Sequence, residues 1–365
     1  MDTPEAYKAL IQKSFVNKGL DHHYVDSLMV GVVQKYFPEV TRIDKVRHDI
    51  YKRRVGKKHS TFIYGYYITG STKTGVKITK YLIYSSHTDE SRLLAYNNMK
   101  LLDNNGFNRG NFIAIRPLAY LPETKALIYE GIEGKNLLQY MKQGTRPPML
   151  ENLMSRAAGW LKKFHTFKLP EHDRARFSTF DSKNMNPALE NLIAEVERTW
   201  PERVALLEKF FETFLSLEDS LKTTYTPGLV YGDYHPENII TDNLTADTLT
   251  MIDFTDLAIG DQLRDIGSFV QQLHFMALEF YGVPELEAMR VSFVEKYFGK
   301  KITELSDTEF QRINLYQAWN SARGFVWFLF ITGFHEDSFN LLEDAWRYLM
   351  LVQQKKRTIR FSTEQ

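Results

Sequence analysis

Two carboxylates and an amide stand out by type and spacing. Asp233 and Asn238 lie five residues apart in Leu229-Val-Tyr-Gly-Asp-Tyr-His-Pro-Glu-Asn-Ile-Ile240, and Asp253 ends the run Leu249-Thr-Met-Ile-Asp253 before Phe254. Phosphoryl transfer uses such a set: one carboxylate orients and deprotonates an attacking hydroxyl, and nearby oxygen atoms bind Mg²⁺. The apolar stretches on either side of the polar turn Thr241–Thr248 read as the two strands of a hairpin. Such a hairpin would bring Asn238 and Asp253 together at its open end. A third element, Gly260-Asp261-Gln-Leu-Arg-Asp265-Ile-Gly-Ser-Phe269, opens the next helix, where Asp261 can cap the helix or brace the loop. An isolated Gly-Asp pair would read as a turn; with Asn238, Asp253 and Asp265 in order behind it, Asp233 reads as part of a site. His235, inside the loop, is open to a catalytic or a hydrogen-bonding role. His165 ends a helix among apolar neighbours and reads as a structural brace. The other histidines lack metal-ligand spacing, so zinc is not expected.

The order Tyr-Gly-Asp-Tyr-His-Pro-Glu-Asn-Ile-Ile, then Ile-Asp-Phe, then Gly-Asp-x-x-x-Asp-Ile-Gly closely resembles the aminoglycoside phosphotransferase and choline kinase-like superfamily, over roughly residues 45–330. There the loop usually reads His-Gly-Asp-x-x-x-x-Asn, and here Tyr231 stands in place of the histidine. The resemblance implies that Asp233 is the catalytic base and that Asn238 and Asp253 are Mg²⁺ ligands. It implies ATP, or GTP, as phosphoryl donor and a hydroxyl on a small molecule as acceptor. The fold implied is α+β and two-lobed, like a protein kinase: a small β-rich lobe, a larger mainly helical lobe, and the magnesium-ATP site between them. Transfer would be direct and in line, because no nucleophile is positioned by a separate base. The competing reading, a catalytically silent nucleotide-binding protein with a regulatory role, would predict loss of Asp233, Asn238 or Asp253, and all three are present.

These residues need elements to position them. Residues 5–36 carry helical periodicity, with Val25, Leu28, Met29, Val32 and Val33 on one face. From Ile43 the pattern changes to strands. Thr61–Thr69 and Val76–Tyr84 form a hairpin across Gly70–Gly75, residues 88–103 read as a helix capped by Thr88, and short strands follow at Phe112–Arg116 and Ala126–Tyr129. Strand alternation puts Val76, Ile78 and Lys80 on one face, so Lys80, rather than Lys77, is expected to pair with nucleotide phosphates. Glu90 on the following helix is its expected partner. A glycine-rich phosphate loop is missing; its place holds the basic turn Lys52–Lys58, which reads either as triphosphate contacts or as a solvated hairpin. By the resemblance, Glu130-Gly-Ile132 is an inter-lobe hinge whose backbone bonds adenine. The boundaries read from the sequence are an N-terminal lobe at 1–129, a hinge at 130–134 and a helical C-terminal lobe at 135–365.

Composition sets the outer limits. With no cysteine among 365 residues, disulfides, thiolate metal sites and cysteine nucleophiles are excluded. The first ten residues lack a signal-peptide pattern, and the most apolar run, Gly324–Thr332, is too short to cross a bilayer, so a cytoplasmic protein without a membrane role is expected. Residues 1–129 hold 20 Lys and Arg against 11 Asp and Glu, and the remainder 26 against 34. That asymmetry suggests two functional halves but supplies no nucleic-acid arm. Acidity in the larger part would suit an amine-bearing acceptor, with sugars, macrolides and amino alcohols also open. Trp319, Trp327 and Phe328 read either as walls of an acceptor pocket or as core.

Overall fold

The computed structural model describes residues 13–56, 60–184, 188–332 and 337–360. Residues 1–12, where the helical pattern read from residue 5 begins, and part of the basic turn (Lys57, Lys58) lie outside them. The chain forms two compact units, one of residues 1–135 with 240–255, the other of residues 136–239 with 256–365. The segment 240–255 is thus grouped with the first unit, although in sequence it follows most of the second.

In the first unit, helix α1 (His22–Tyr36) starts at Asp21, whose carboxylate accepts from the Tyr24 N–H at 3.1 Å. Its buried residues, Val25, Met29, Val32 and Val33, follow the helical period. They cover one face of an antiparallel sheet built from β1 (Arg42–Arg54), β2 (Thr61–Ser71) and β3 (Lys77–His87). Helix α2 (Ser91–Leu102) and strands β4 (Phe112–Ala114), β5 (Pro117–Leu121) and β6 (Ala126–Glu130) follow, and the sheet order is β1-β2-β3-β6-β5. Alternation sends Phe62, Tyr64, Tyr66 and Ile68 of β2, with Leu82 and Tyr84 of β3, into the core under α1. Tyr67 and Tyr81 have the other parity and stack on each other at 4.6 Å. Thr88 does not cap α2. Its hydroxyl donates to the Ser60 carbonyl and accepts from the Ser60 N–H, tying the end of β3 to the start of β2. The helix begins three residues later, with Glu90 as its N-cap residue.

Strand β7 (Lys135–Asn136) carries the chain out of the first unit. The second contains α3 (Leu137–Lys142), α4 (Pro147–Thr166), α5 (Glu171–Arg174), α6 (Leu189–Thr199) and α7 (Val204–Leu221). Strand β8 (Gly228–Val230) follows. Strands β9 (Ile239–Thr241) and β10 (Leu249–Met251) lead through the 240–255 segment, where β10 pairs in parallel with β4. Back in the second unit, β11 (Ala258–Gly260) pairs antiparallel with β8. Helices α8 (Leu263–Ala277), α9 (Val283–Phe298), α10 (Asp307–Trp327) and α11 (Asp337–Gln353) complete it.

One apolar cluster of this unit joins α6, α7, α10 and α11. Trp319 lies in it, 3% exposed and stacked on Phe214 at 5.2 Å. It is core, not pocket wall. Trp327, by contrast, is half exposed. A buried guanidinium, Arg290, ties three helices to the C-terminal segment: it bonds Glu287, Gln317, the Tyr348 hydroxyl and the Ile359 carbonyl. Among the described residues no helix is long and apolar enough to cross a membrane.

The placement of Trp319 is testable. Trp319→Ala should lower unfolding free energy by about 3–5 kcal/mol, as loss of a buried aromatic does. Urea unfolding followed by circular dichroism checks it; a loss under about 1 kcal/mol, the range of surface changes, would contradict the core position.

Candidate active site

The motif around Asp233 is held in the second unit by a carboxylate from another element. Asp265, on the first turn of α8, is fully buried. Its Oδ2 accepts from the Tyr231 N–H at 2.6 Å and its Oδ1 from the Gly232 N–H at 2.8 Å. His165, at the end of α4, lies 2.9 Å from the same Oδ2 through Nε2, and its Nδ1 is 2.7 Å from the Tyr297 hydroxyl. Donation from Nε2 to the carboxylate makes Nδ1 the acceptor of the Tyr297 hydroxyl. His165 is thus the brace its position suggested. Asp261 is not a direct brace: it accepts from the Leu263 N–H and forms a two-armed ion pair with Arg312.

Gly232 has φ +89°, and a Cβ there would lie 2.2 Å from the Asp256 carbonyl oxygen. Only glycine makes this turn at this distance. The next residue, Asp233, keeps its carboxylate about one third exposed. Tyr231 and Tyr234 are buried on either side and pack on Trp160, and the Tyr234 hydroxyl donates to the Ala157 carbonyl at 2.7 Å.

Asn238 closes the loop. Its Nδ2 donates to the Asp233 carbonyl at 3.0 Å and lies 3.0 Å from His235 Nε2, which leaves Oδ1 for another partner. His235 Nδ1 in turn lies 3.3 Å from the Glu237 backbone nitrogen, and its Nε2 stands 3.4 Å from the Asp233 carboxylate. Arg323 is 3.8 Å from that carboxylate and 3.9 Å from Asp256. Arg264 is buried over the Phe180 ring, at 3.6 Å from its centre. Burial is the largest influence on Asp233 and pushes its carboxyl up. The hydrogen bond and charge of His235, with Arg323 and Arg264, outweigh it and bring the pKa down to about 2. The group is ionised at neutral pH and can accept a hydrogen bond from a hydroxyl.

Asp253 belongs to the first unit, two residues past β10. Its φ of +62° is left-handed, a conformation that Asp tolerates better than most residues. Its Oδ1 accepts from the Thr255 hydroxyl at 2.6 Å and lies 3.5 Å from Nη1 of Arg92. Asn98 Nδ2 donates to the Phe254 carbonyl at 2.8 Å. Both Arg92 and Asn98 come from the buried face of α2, alongside Ala95, Met99 and Leu102. The sequence reading passed over both. The signal was there: polar side chains at core positions of an amphipathic helix require partners.

The expected pair of Lys80 and Glu90 does not form. Lys80 Nζ bonds Glu39 at 2.7 Å and sits 4.3 Å from the centre of the Phe37 ring. Glu90 bonds Lys125 at 2.8 Å and accepts from the Tyr120 hydroxyl at 3.0 Å. Alternation explains the first result: Lys80 has the parity of Leu82 and Tyr84, which point into the core under α1. The second follows from the late start of α2, which leaves Glu90 at the N-cap beside the β5–β6 turn.

At the hinge, Glu130 pairs with Arg116 at 2.7 Å and its N–H bonds the Arg116 carbonyl. The Gly131 N–H donates to the Tyr81 carbonyl at 2.8 Å, and the Ile132 carbonyl accepts from Gly134 at 3.0 Å. Any side chain at 131 would meet the Tyr81 ring at 2.3 Å. Among the described residues, no group of three or more His, Asp or Glu side chains is arranged to hold a metal ion by itself.

With this geometry in hand, comparison with known proteins is informative. No curated protein matches the sequence. Solved structures similar to this chain include an ethanolamine kinase from Plasmodium vivax, at 16% identity and a TM-score of 0.60, over 98% of this chain and 96% of that one. Amicoumacin kinase hAmiN, in complex with AMP-PNP and Ca²⁺, is 12% identical at a TM-score of 0.53, over 93% and 96%. APH(2″)-IIa, in a ternary complex with streptomycin and ATP, is 16% identical at 0.53, over 90% and 98%. At such identities the likeness speaks for the fold, which is kinase-like: a β-rich N-terminal region and a mainly helical C-terminal one. Residues 82–305, well over half of the chain, match the model of the phosphotransferase enzyme family. The chain therefore belongs to that family, within the aminoglycoside phosphotransferase and choline kinase-like superfamily.

Proposed function

We propose that the protein transfers the γ-phosphoryl group of ATP, or of GTP, to a hydroxyl of a small molecule. The observation that carries this reading is the loop Tyr231–Asn238, in which an ionised Asp233 and the Asn238 amide are locked together and anchored on Asp265. Asp233 would accept a hydrogen bond from the acceptor hydroxyl, aim its oxygen in line, and take its proton as the new bond forms. Positioning, not covalent chemistry, is the main demand of this reaction.

The residues suit a magnesium ion on the chemistry of their donors. Asn238 Oδ1 and the Asp253 carboxylate are hard oxygen ligands. Mg²⁺ typically takes one or two protein carboxylates and completes its shell with water and substrate phosphates. When bound, it would offset charge on the phosphates. At the hinge, the Ile132 N–H has no backbone partner among the described residues and is the candidate donor to a purine. Lys80 and Glu90 are not retained as nucleotide contacts, since Glu39 and Lys125 hold them elsewhere. Structural neighbours hold ATP in one case and GDP in another, the latter aminoglycoside 2′-phosphotransferase-IIIa, so both purines belong in the test.

The acceptor is read as a small molecule because a peptide platform is missing. A protein kinase carries a long activation segment after its Asp-Phe-Gly motif. Here β11 begins five residues after Asp253 and α8 opens at Leu263. Incubating the protein with γ-labelled ATP and cell-extract fractions tests this. Label should enter the low-molecular-weight fraction; label mainly in protein bands would refute it.

Two substitutions test the roles. Asp233→Asn should lower kcat by roughly 10²–10⁴-fold, the usual contribution of a general base, and leave nucleotide affinity within a few fold. Retention of more than half the activity would remove Asp233 from the chemistry. Asp253→Ala should abolish the magnesium dependence of nucleotide binding in calorimetric titrations; unchanged dependence would put the metal elsewhere.

A further inference from the structure

We propose that Arg92, on helix α2, is the cation that binds the polyphosphate of the nucleotide, in the role expected of a lysine on β3. The inference rests on the magnesium-nucleotide reading above and adds a ligand contact to it. The first support is negative: Lys80, the expected residue on that strand, carries the parity of the core under α1 and is held by Glu39. The first unit still needs a positive charge near Asp253, because a nucleoside triphosphate brings several negative charges to a metal-ligating carboxylate.

Arg92 has that position. It is 8% exposed, and its Nη1 stands 3.5 Å from Asp253. Nη2 is 2.8 Å from His87 Nε2, at the end of β3. A guanidinium has only donors, so His87 accepts through Nε2 and carries its proton on Nδ1, which faces the Ser91 hydroxyl at 3.3 Å. This contact orients the fork without neutralising it.

The remaining donors are under-used. Nε is buried with no hydrogen-bond partner among the described residues, and the ion pair with Asp253 is long. A guanidinium offers five N–H donors, and a buried charge left so poorly matched is costly unless a ligand completes it. Asp253 is also the only carboxylate within ion-pair distance of Arg92 among the described residues. Once Asp253 engages a metal ion, Arg92 loses its counter-charge, and phosphate oxygens restore it with the planar, two-armed geometry that arginine favours. The placement is not accidental. Asn98, six residues further along the same helix, holds the Phe254 carbonyl at 2.8 Å and sets the spacing between α2 and Asp253.

Calorimetric binding of Mg-ADP, and of adenosine by competition, to the full chain tests the assignment. Arg92→Gln should weaken Mg-ADP by roughly 10- to 100-fold, the range for a hydrogen bond to a charged group, with adenosine unchanged. Lys80→Gln should leave both unchanged. Equal Mg-ADP affinity in Arg92→Gln would overturn the proposal. So would tighter binding, which would make Arg92 a clamp competing for Asp253, or an equal loss for adenosine, which would make it structural. If Arg92→Gln fails to fold by circular dichroism, Arg92→Lys carries the test. It keeps the charge and loses the fork, and Mg-ADP should weaken by about threefold or more relative to adenosine; an unchanged ratio overturns the assignment. A wild-type protein that binds no Mg-nucleotide would sink the phosphotransferase reading itself. Wild-type binding with an indifferent Arg92 sinks only this inference.

Discussion

The second unit is organised around one buried carboxylate. Asp265 takes the N–H groups of Tyr231 and Gly232 and is faced by His165, so three hydrogen bonds converge on two oxygens that see no solvent. A buried carboxylate demands such partners, because leaving a charge unmatched in the interior costs far more than any single bond contributes. The result is a fixed point from which the chain turns through Gly232 and presents Asp233. Tyr231 occupies the position that is usually histidine in this superfamily. Its ring packs edge-on against Trp160 while its backbone N–H goes to Asp265. At this point Asp265 holds the loop by its main chain.

Helix α2 does the corresponding work in the first unit. Its amphipathic face carries Ala95, Met99 and Leu102 for packing and two polar side chains for contact, Arg92 on Asp253 and Asn98 on the Phe254 carbonyl. A helix that only packed would place apolar residues at those positions. The left-handed turn at Asp253 costs backbone energy of order 1–3 kcal/mol unless surrounding contacts over-determine it. The Asn98 bond, together with that of Thr255, supplies such contacts. Burial, and then Arg92, also hold the His87 ring down at about 4, so it stays neutral and accepts from Arg92 through Nε2.

The aromatic content, 14% of the chain, is spent mainly on packing. Phe210, Phe214 and Trp319 form a stacked set between α7 and α10. Tyr64 and Tyr84 stack across β2 and β3 in the core under α1. From sequence, such residues read equally as pocket walls, since an aromatic side chain lines a ligand or fills a core with the same surface chemistry. Which it does depends on the neighbours that other helices bring.

The loop around Asp233, the order of the three motifs and the kinase-like division into β-rich and helical parts were legible in the sequence, because each is local. A Gly-Asp turn, an amide five residues on and a second carboxylate at a strand end are set by short-range backbone geometry. The hairpin, the helix ending at His165 and the short strand before Glu130 come from periodicities of two and 3.6 residues, which also act over a few residues. What tertiary structure decided is which face of each element meets which partner. Alternation along β3 told Lys80 from Lys77, but only the docking of α1 showed which face of the sheet is core, and that put Lys80 against Glu39. Likewise, it was the packing of α8 that made Asp265 the brace, a role the sequence had offered to Asp261, and Arg92 became a candidate ligand only when α2 was laid beside Asp253. Those contacts join residues up to about 160 positions apart, and they are set by the burial of whole helices and sheets, not by the spacing of the residues themselves.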